Sequence, residues 1–99
     1  MALMDITVVP IGTGSTSVGT YVAELAALLR REGVPFRLTD MGTHVEGPAE
    51  ELFRLAARLH EAPFAAGARR VTTVVKVDDR RDREVHLGDK VRSVEERLR

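Results

Sequence analysis

The chain has 99 residues, 43% hydrophobic and 30% charged, which suits one folded domain and excludes a disordered tail. Fifteen Lys and Arg balance fifteen Asp and Glu, so no net positive charge draws the protein to nucleic acid. There is no Cys, so neither disulfides nor thiolate metal ligands can supplement a core this small, and self-association is the remaining common supplement.

Residues 1–50 carry three basic and six acidic side chains and residues 51–99 carry twelve and nine, a tilt from −3 to +3 that suits solvated surface. No apolar run approaches the ~18 residues of a membrane span. Met1 to Thr7 has no basic stretch and meets Asp5 early, so no signal peptide is expected and the cytoplasm is the default compartment.

Leu3 to Ile11 is rich in β-branched residues, with Met4, Ile6 and Val8 on one side and Leu3, Val9 and Ile11 on the other. It reads as a central strand covered on both faces. Gly12-Thr13-Gly14 ends it. Ser15, Thr16 and Ser17 are candidate N-caps for a helix carrying Val18, Tyr21, Val22, Leu25, Leu28 and Leu29, with Gly33 at its C-terminal cap. Val34 to Asp40 reads as a second strand. Met41-Gly42 reads as a two-residue connection in which Gly42 takes φ > 0, and Thr43 to Glu46 as a third strand.

Gly47-Pro48 opens a second helix with Pro48 at its first position and a stripe of Leu52, Leu55, Ala56, Leu59 and Ala62; Pro63 should kink or end it. Arg70 to Asp78 is a fourth strand. Asp79 to Glu84 is a charged loop. Val85 to Leu98 suggests a third helix carrying Leu87, Val91, Val94 and Leu98. The order β-α-β-β-α-β plus a C-terminal helix predicts an α+β protein: one ferredoxin-like domain over residues 1–99, with an antiparallel sheet. Helices cover only one face of such a sheet. An apolar second face on the first strand therefore implies that sheets pack together in an oligomer.

Gly12-x-Gly14 followed by Asp40 mimics a dinucleotide fingerprint, but position 17 is Ser and the chain turns back at once after Asp40. A tight βα turn, or a helix start whose serines and free N–H groups bind polar ligand atoms, is the alternative. The bend Asp40 to Gly47 gathers small, polar and acidic residues. Glu46 there either favours the following helix dipole or accepts hydrogen bonds from an amino group or ring N–H. Asp78 and Asp79 are strand neighbours on opposite faces, and His44, His60 and His86 show no ligand spacing, so no metal site is expected. No nucleophile motif is present, and an enzyme is not proposed.

Three segments then coincide. They are Val9-Pro10-Ile11-Gly12 with Ser15-x-Ser17 and Tyr21-Val22; Met41-Gly42-Thr43-x-x-Glu46-Gly47; and Gly67-x-x-Arg70-Val71-x-Thr73 leading to Lys76-Val77-Asp78-Asp79-Arg80-x-Asp82. Together they resemble the small thiamine-binding protein family, the single-domain relatives of YkoF, over nearly the whole chain. The resemblance implies a ferredoxin-like homo-oligomer, a tetramer of paired dimers. It implies non-catalytic binding of thiamine or its hydroxymethylpyrimidine moiety as ligand, with no cofactor. It carries the site to Pro10, Gly12, Ser15, Ser17, Met41, Gly42, Thr43 and Glu46. The sequence departs from the family beside Glu46, at Pro48-Ala49 and at His44.

The chemistry suits such a ligand. An aminopyrimidine needs acceptors for its amino group, which Glu46, Ser15 or Ser17 supply, and charge-assisted bonds to a carboxylate are the strong ones. Met41 offers an apolar surface to a ring, and Tyr21 either stacks on the ligand or packs in the core. No Lys or Arg lies near the first helix start in sequence, which favours an unphosphorylated ligand. The rivals are a ferredoxin-like oligomerisation or regulatory module for another small ligand, and an enzyme of acylphosphatase type. The latter needs an Arg in the first loop, and residues 10–17 contain none.

Overall fold

A computed structural model describes residues 1–99. The elements are β1 (Ala2–Pro10), α1 (Gly19–Glu32), β2 (Phe36–Leu38), β3 (Thr43–Gly47), α2 (Ala49–Ala65), β4 (Val71–Asp79) and α3 (Asp89–Arg97). The strands form one antiparallel sheet in the order β2-β3-β1-β4, the expected ferredoxin-like topology.

The pleat of β1 divides the molecule. Ala2, Met4, Ile6, Val8 and Pro10 are buried under the helices, while Leu3, Asp5 and Thr7 are half-buried and Val9 is exposed on the outer face. Val45 joins the inner face, and Leu25 and Leu29 of α1 meet Leu52, Leu55, Ala56 and Leu59 of α2 over it. Leu29, Val45 and Leu59 are fully buried. Burial of side chains of this size contributes roughly 1.5–3 kcal/mol each, so this layer holds the sheet and both helices in register.

Several local expectations are corrected. The serine cluster does not cap α1, which begins at Gly19 after Val18 with no side-chain cap. The hydroxyls act within the loop instead: the Ser17 N–H donates to Ser15 Oγ at 3.0 Å and Thr13 Oγ1 to the Ser15 carbonyl at 3.2 Å. Gly33 does take the left-handed C-terminal position, at φ +70°.

β2 is only three residues long. Pro35 has no N–H for a ladder, though its carbonyl still accepts from the Glu46 N–H at 3.1 Å. The connection to β3 spans Thr39 to Gly42, because Leu38 pairs with Thr43 and Thr39 donates through both its N–H and its hydroxyl to the Gly42 carbonyl. Gly42 does not adopt positive φ.

Pro48 stands just outside α2, in an extended conformation. The helix runs two residues past Pro63, because a proline in the last turn forfeits one hydrogen bond while its ring is buried. The C-terminal helix is shorter than expected and buries no residue. Val91, Val94 and Leu98 are 53%, 49% and 79% exposed, while Val85 and Leu87, in the loop before it, are half-buried.

Candidate functional site

Register decides which side chains share the outer face. Leu3 sits between Glu46 of β3 and Asp78 of β4, and Asp5 sits between His44 and Lys76. Five polar side chains from three strands therefore meet on one side of the sheet, around Leu3. The segment before α3 crosses over them and adds Leu87, and the first turn of α3 adds Lys90. Between sheet and segment lies a cavity of about 400 Å³, bordered by Leu3, Asp5, His44, Lys76 and Asp78 below and by Leu87 and Lys90 above.

Glu46 fixes that overlying segment. It is 9% exposed, and both carboxylate oxygens are engaged: Oε1 accepts the Leu87 N–H and Oε2 the His86 Nδ1 proton, each at 2.9 Å. The hydrogen bond from His86, then that from Leu87, holds the Glu46 carboxyl below its ordinary pKa. The same bond pushes the His86 imidazole above its ordinary value, with Glu84 3.6 Å from the other ring nitrogen adding to the effect. The segment is stiffened from within, since the His86 N–H donates to Asp89 Oδ2 at 2.9 Å and Asp89 also pairs with Arg92.

Asp5 is differently placed. Its Oδ1 is shut from water and has no hydrogen-bond donor, although the side chain keeps 40% exposure. The nearest basic side chain is His44, whose Nε2 lies 3.7 Å from that oxygen. The bend before β3 lies directly over it: Gly42 presses on Asp5 and Thr7, and Thr7 Oγ1 donates to the Met41 carbonyl at 3.3 Å.

The residues singled out from sequence are not gathered at one point. Glu46 borders the outer-face arrangement through the segment it holds, and Gly42 abuts Asp5. Thr43 lies on the opposite, buried face, because it is an odd number of residues from Glu46. Met41 stands 87% exposed on the bend. Pro10 is buried at the far end of β1, Gly12, Ser15 and Ser17 follow it in an exposed loop, and Tyr21 is half-buried on α1. Asp5 to Pro10 spans roughly 17 Å of strand, so that loop does not border the cavity.

Sequence reasoning missed Asp5, Lys76, Asp78, Leu87 and Lys90 as a group. One signal was available: Asp5 is an acid inside a strand otherwise suited to the centre of a sheet. A second, more open cavity of about 510 Å³ lies between the start of α2 and residues 79–84. Two of its arginines are paired locally, Arg80 with Asp82 at 2.6 Å and Arg81 with Asp79 at 2.7 Å.

A family model described as "Thiamine-binding protein" matches residues 4–95. The UPF0045 protein YqgV of Bacillus subtilis is 42% identical over 99% of this chain and 98% of its own. Among solved structures, the hypothetical protein MJ1052 of Methanocaldococcus jannaschii superposes with a TM-score of 0.84 at 24% identity, covering 96% of each chain. A Thermotoga maritima protein, TM0486, described as a candidate thiamine biosynthesis/salvage protein, superposes with a TM-score of 0.78 at 18% identity, covering 94% of this chain and 97% of that one. At these identities the two structures establish a shared fold.

Proposed function

This chain belongs to the thiamine-binding protein family, and from that membership we propose that it binds thiamine or its hydroxymethylpyrimidine moiety, non-catalytically and as a homo-oligomer, in the cavity on the outer face of the sheet. The observation that carries the reading is the cavity itself: about 400 Å³, within the range of small-molecule sites, with apolar and carboxylate groups side by side. Thiamine presents a planar aminopyrimidine and a cationic thiazolium. Leu3 and Leu87 offer surface to a flat ring, and Asp5 and Asp78 offer acceptors, their charge balanced by Lys76 and Lys90. The description of the Thermotoga maritima neighbour points to the same vitamin.

Oligomerisation is supported by the other end of the outer face. Val9, Ile11 and Val74 are 36%, 39% and 61% exposed there, an apolar strip that a second copy can cover. In such an assembly the exposed Gly12, Ser15, Ser17 and Met41 serve a ligand across a subunit boundary, while Pro10, buried beneath the helices, and Tyr21, on α1, support the fold behind them. Thr43, facing the core, supports the bend.

A thermal-shift series tests the reading. Thiamine or hydroxymethylpyrimidine at tens of micromolar is expected to raise Tm, as any ligand that binds only the folded state does, while nucleotides and amino acids leave it unchanged. Equal shifts with all of them, or none with thiamine and its pyrimidine, would favour the oligomerisation module instead.

A further inference from the structure

The geometry points to Asp5, rather than Glu46, as the carboxylate that receives the amino group of the ligand, with Glu46 as a positioning residue that holds a roof over the cavity. This rests on the reading of the outer-face cavity as the ligand site and assigns roles within it.

Glu46 is already committed and does not line the cavity. Each of its oxygens already takes a hydrogen bond, from the Leu87 N–H and from His86, and only 9% of the residue is exposed. From the outer-face cavity a ligand amine meets the segment that carries Leu87 before it meets Glu46. α3 buries no residue of its own, so removing that attachment frees the segment rather than exchanging one partner for another.

Asp5 is the reverse case. One oxygen is sealed without a donor beneath Gly42, and the remainder of the side chain borders the cavity. Three basic side chains lie around it on three elements: His44 on β3, with Nε2 3.7 Å from Oδ1, the cross-strand Lys76 on β4, and Lys90 on α3. None is within direct hydrogen-bonding distance of the sealed oxygen. The sealed Oδ1 is out of a ligand's reach, so an incoming N–H is received at Oδ2, by a carboxylate whose other oxygen has no donor to share its charge.

The test is calorimetric titration of thiamine and of oxythiamine, in which a carbonyl oxygen replaces the amino group, into the wild type, Asp5→Asn and Glu46→Gln. Amide hydrogen exchange is followed at Leu87. Asp5→Asn is isosteric, and Asp5→Ser is run alongside it. The wild type should prefer thiamine. Both Asp5 variants should lose roughly tenfold to hundredfold in thiamine affinity, and with it the preference, while Leu87 stays protected. Glu46→Gln should weaken both ligands by a similar factor, keep the preference and speed exchange at Leu87. A preference that survives in the Asp5 variants, or that vanishes in Glu46→Gln with Leu87 still protected, overturns the assignment alone. A wild type that binds neither compound overturns the thiamine reading and the assignment with it.

Discussion

A methyl group on Gly42 would stand 2.6 Å from Asp5 Oδ1 and 3.2 Å from Thr7 Oγ1. The bend before β3 is therefore pressed flat against the strand that carries the acid. Glycine is needed at this turn because of what lies under it. Its φ is not in the left-handed region.

Gly42→Ala should therefore act through Asp5. The carboxylate must swing away, at a cost of about 1–2 kcal/mol by the usual scale of overpacking. Combined with Asp5→Ser the cost should fall by at least half, because the colliding atom is shortened and can turn aside. Urea denaturation of the four proteins gives the coupling. An equal cost in both backgrounds would show that the turn backbone, and not Asp5, dictates glycine.

The attachment of the C-terminal segment should be confined to a pH window. Glu46 is held below its ordinary value of 4.5, so its contribution is present above that value and lost as pH falls through the lowered one. His86 is raised above 6.5, so the ion pair is complete below that value and lost as pH climbs through the raised one. Exchange protection around residues 84–92 should therefore peak between about pH 5 and 6.5 and decline on both sides. On the alkaline side the Leu87 bond to Glu46 should persist. His86→Ala should flatten the alkaline decline, and an unchanged profile would remove the pair from the account.

Replacing an outer-face valine with an acid should separate assembly from folding. Val74 is 61% exposed, so Val74→Glu should leave the circular dichroism spectrum unchanged while light scattering falls to the 10.9 kDa monomer. A wild type already at the monomer mass would overturn the proposed assembly, and a variant that stays oligomeric would place the interface elsewhere.

Stability should be concentrated in the inner layer. Leu59, fully buried, should cost about 2–5 kcal/mol on truncation to Ala. Val94, half-exposed on α3, should cost within about 0.5 kcal/mol. Similar losses at both positions would mean that α3 folds as part of the core.

The fold was legible because its strongest signals are local. Alternation in β1 and β4 and the helical spacing of Leu25, Leu29, Leu52, Leu55 and Leu59 each follow from chain geometry alone. The site was less legible because it depends on register. Asp5 becomes a neighbour of His44 and Lys76 only when three strands align, and Thr43 parts from Glu46 by the same pleat. The apolar spacing of Val91, Val94 and Leu98 correctly indicated a helix, but periodicity shows that a face exists and not what covers it. The serines were good cap residues that found nearer partners in their own loop.

The two rims of the sheet are unequal. β2 offers three residues of open edge, while β4, at the other side, offers nine. Its first five residues, Val71 to Val75, are uncharged and all β-branched, and Lys76 interrupts them just short of the six or seven that favour stacking into fibrils. That lysine thus doubles as a gatekeeper: exchanging it for an apolar residue would join Val71 to Val77 into one uninterrupted sticky ribbon, most dangerous while the chain is newly made and unaccompanied.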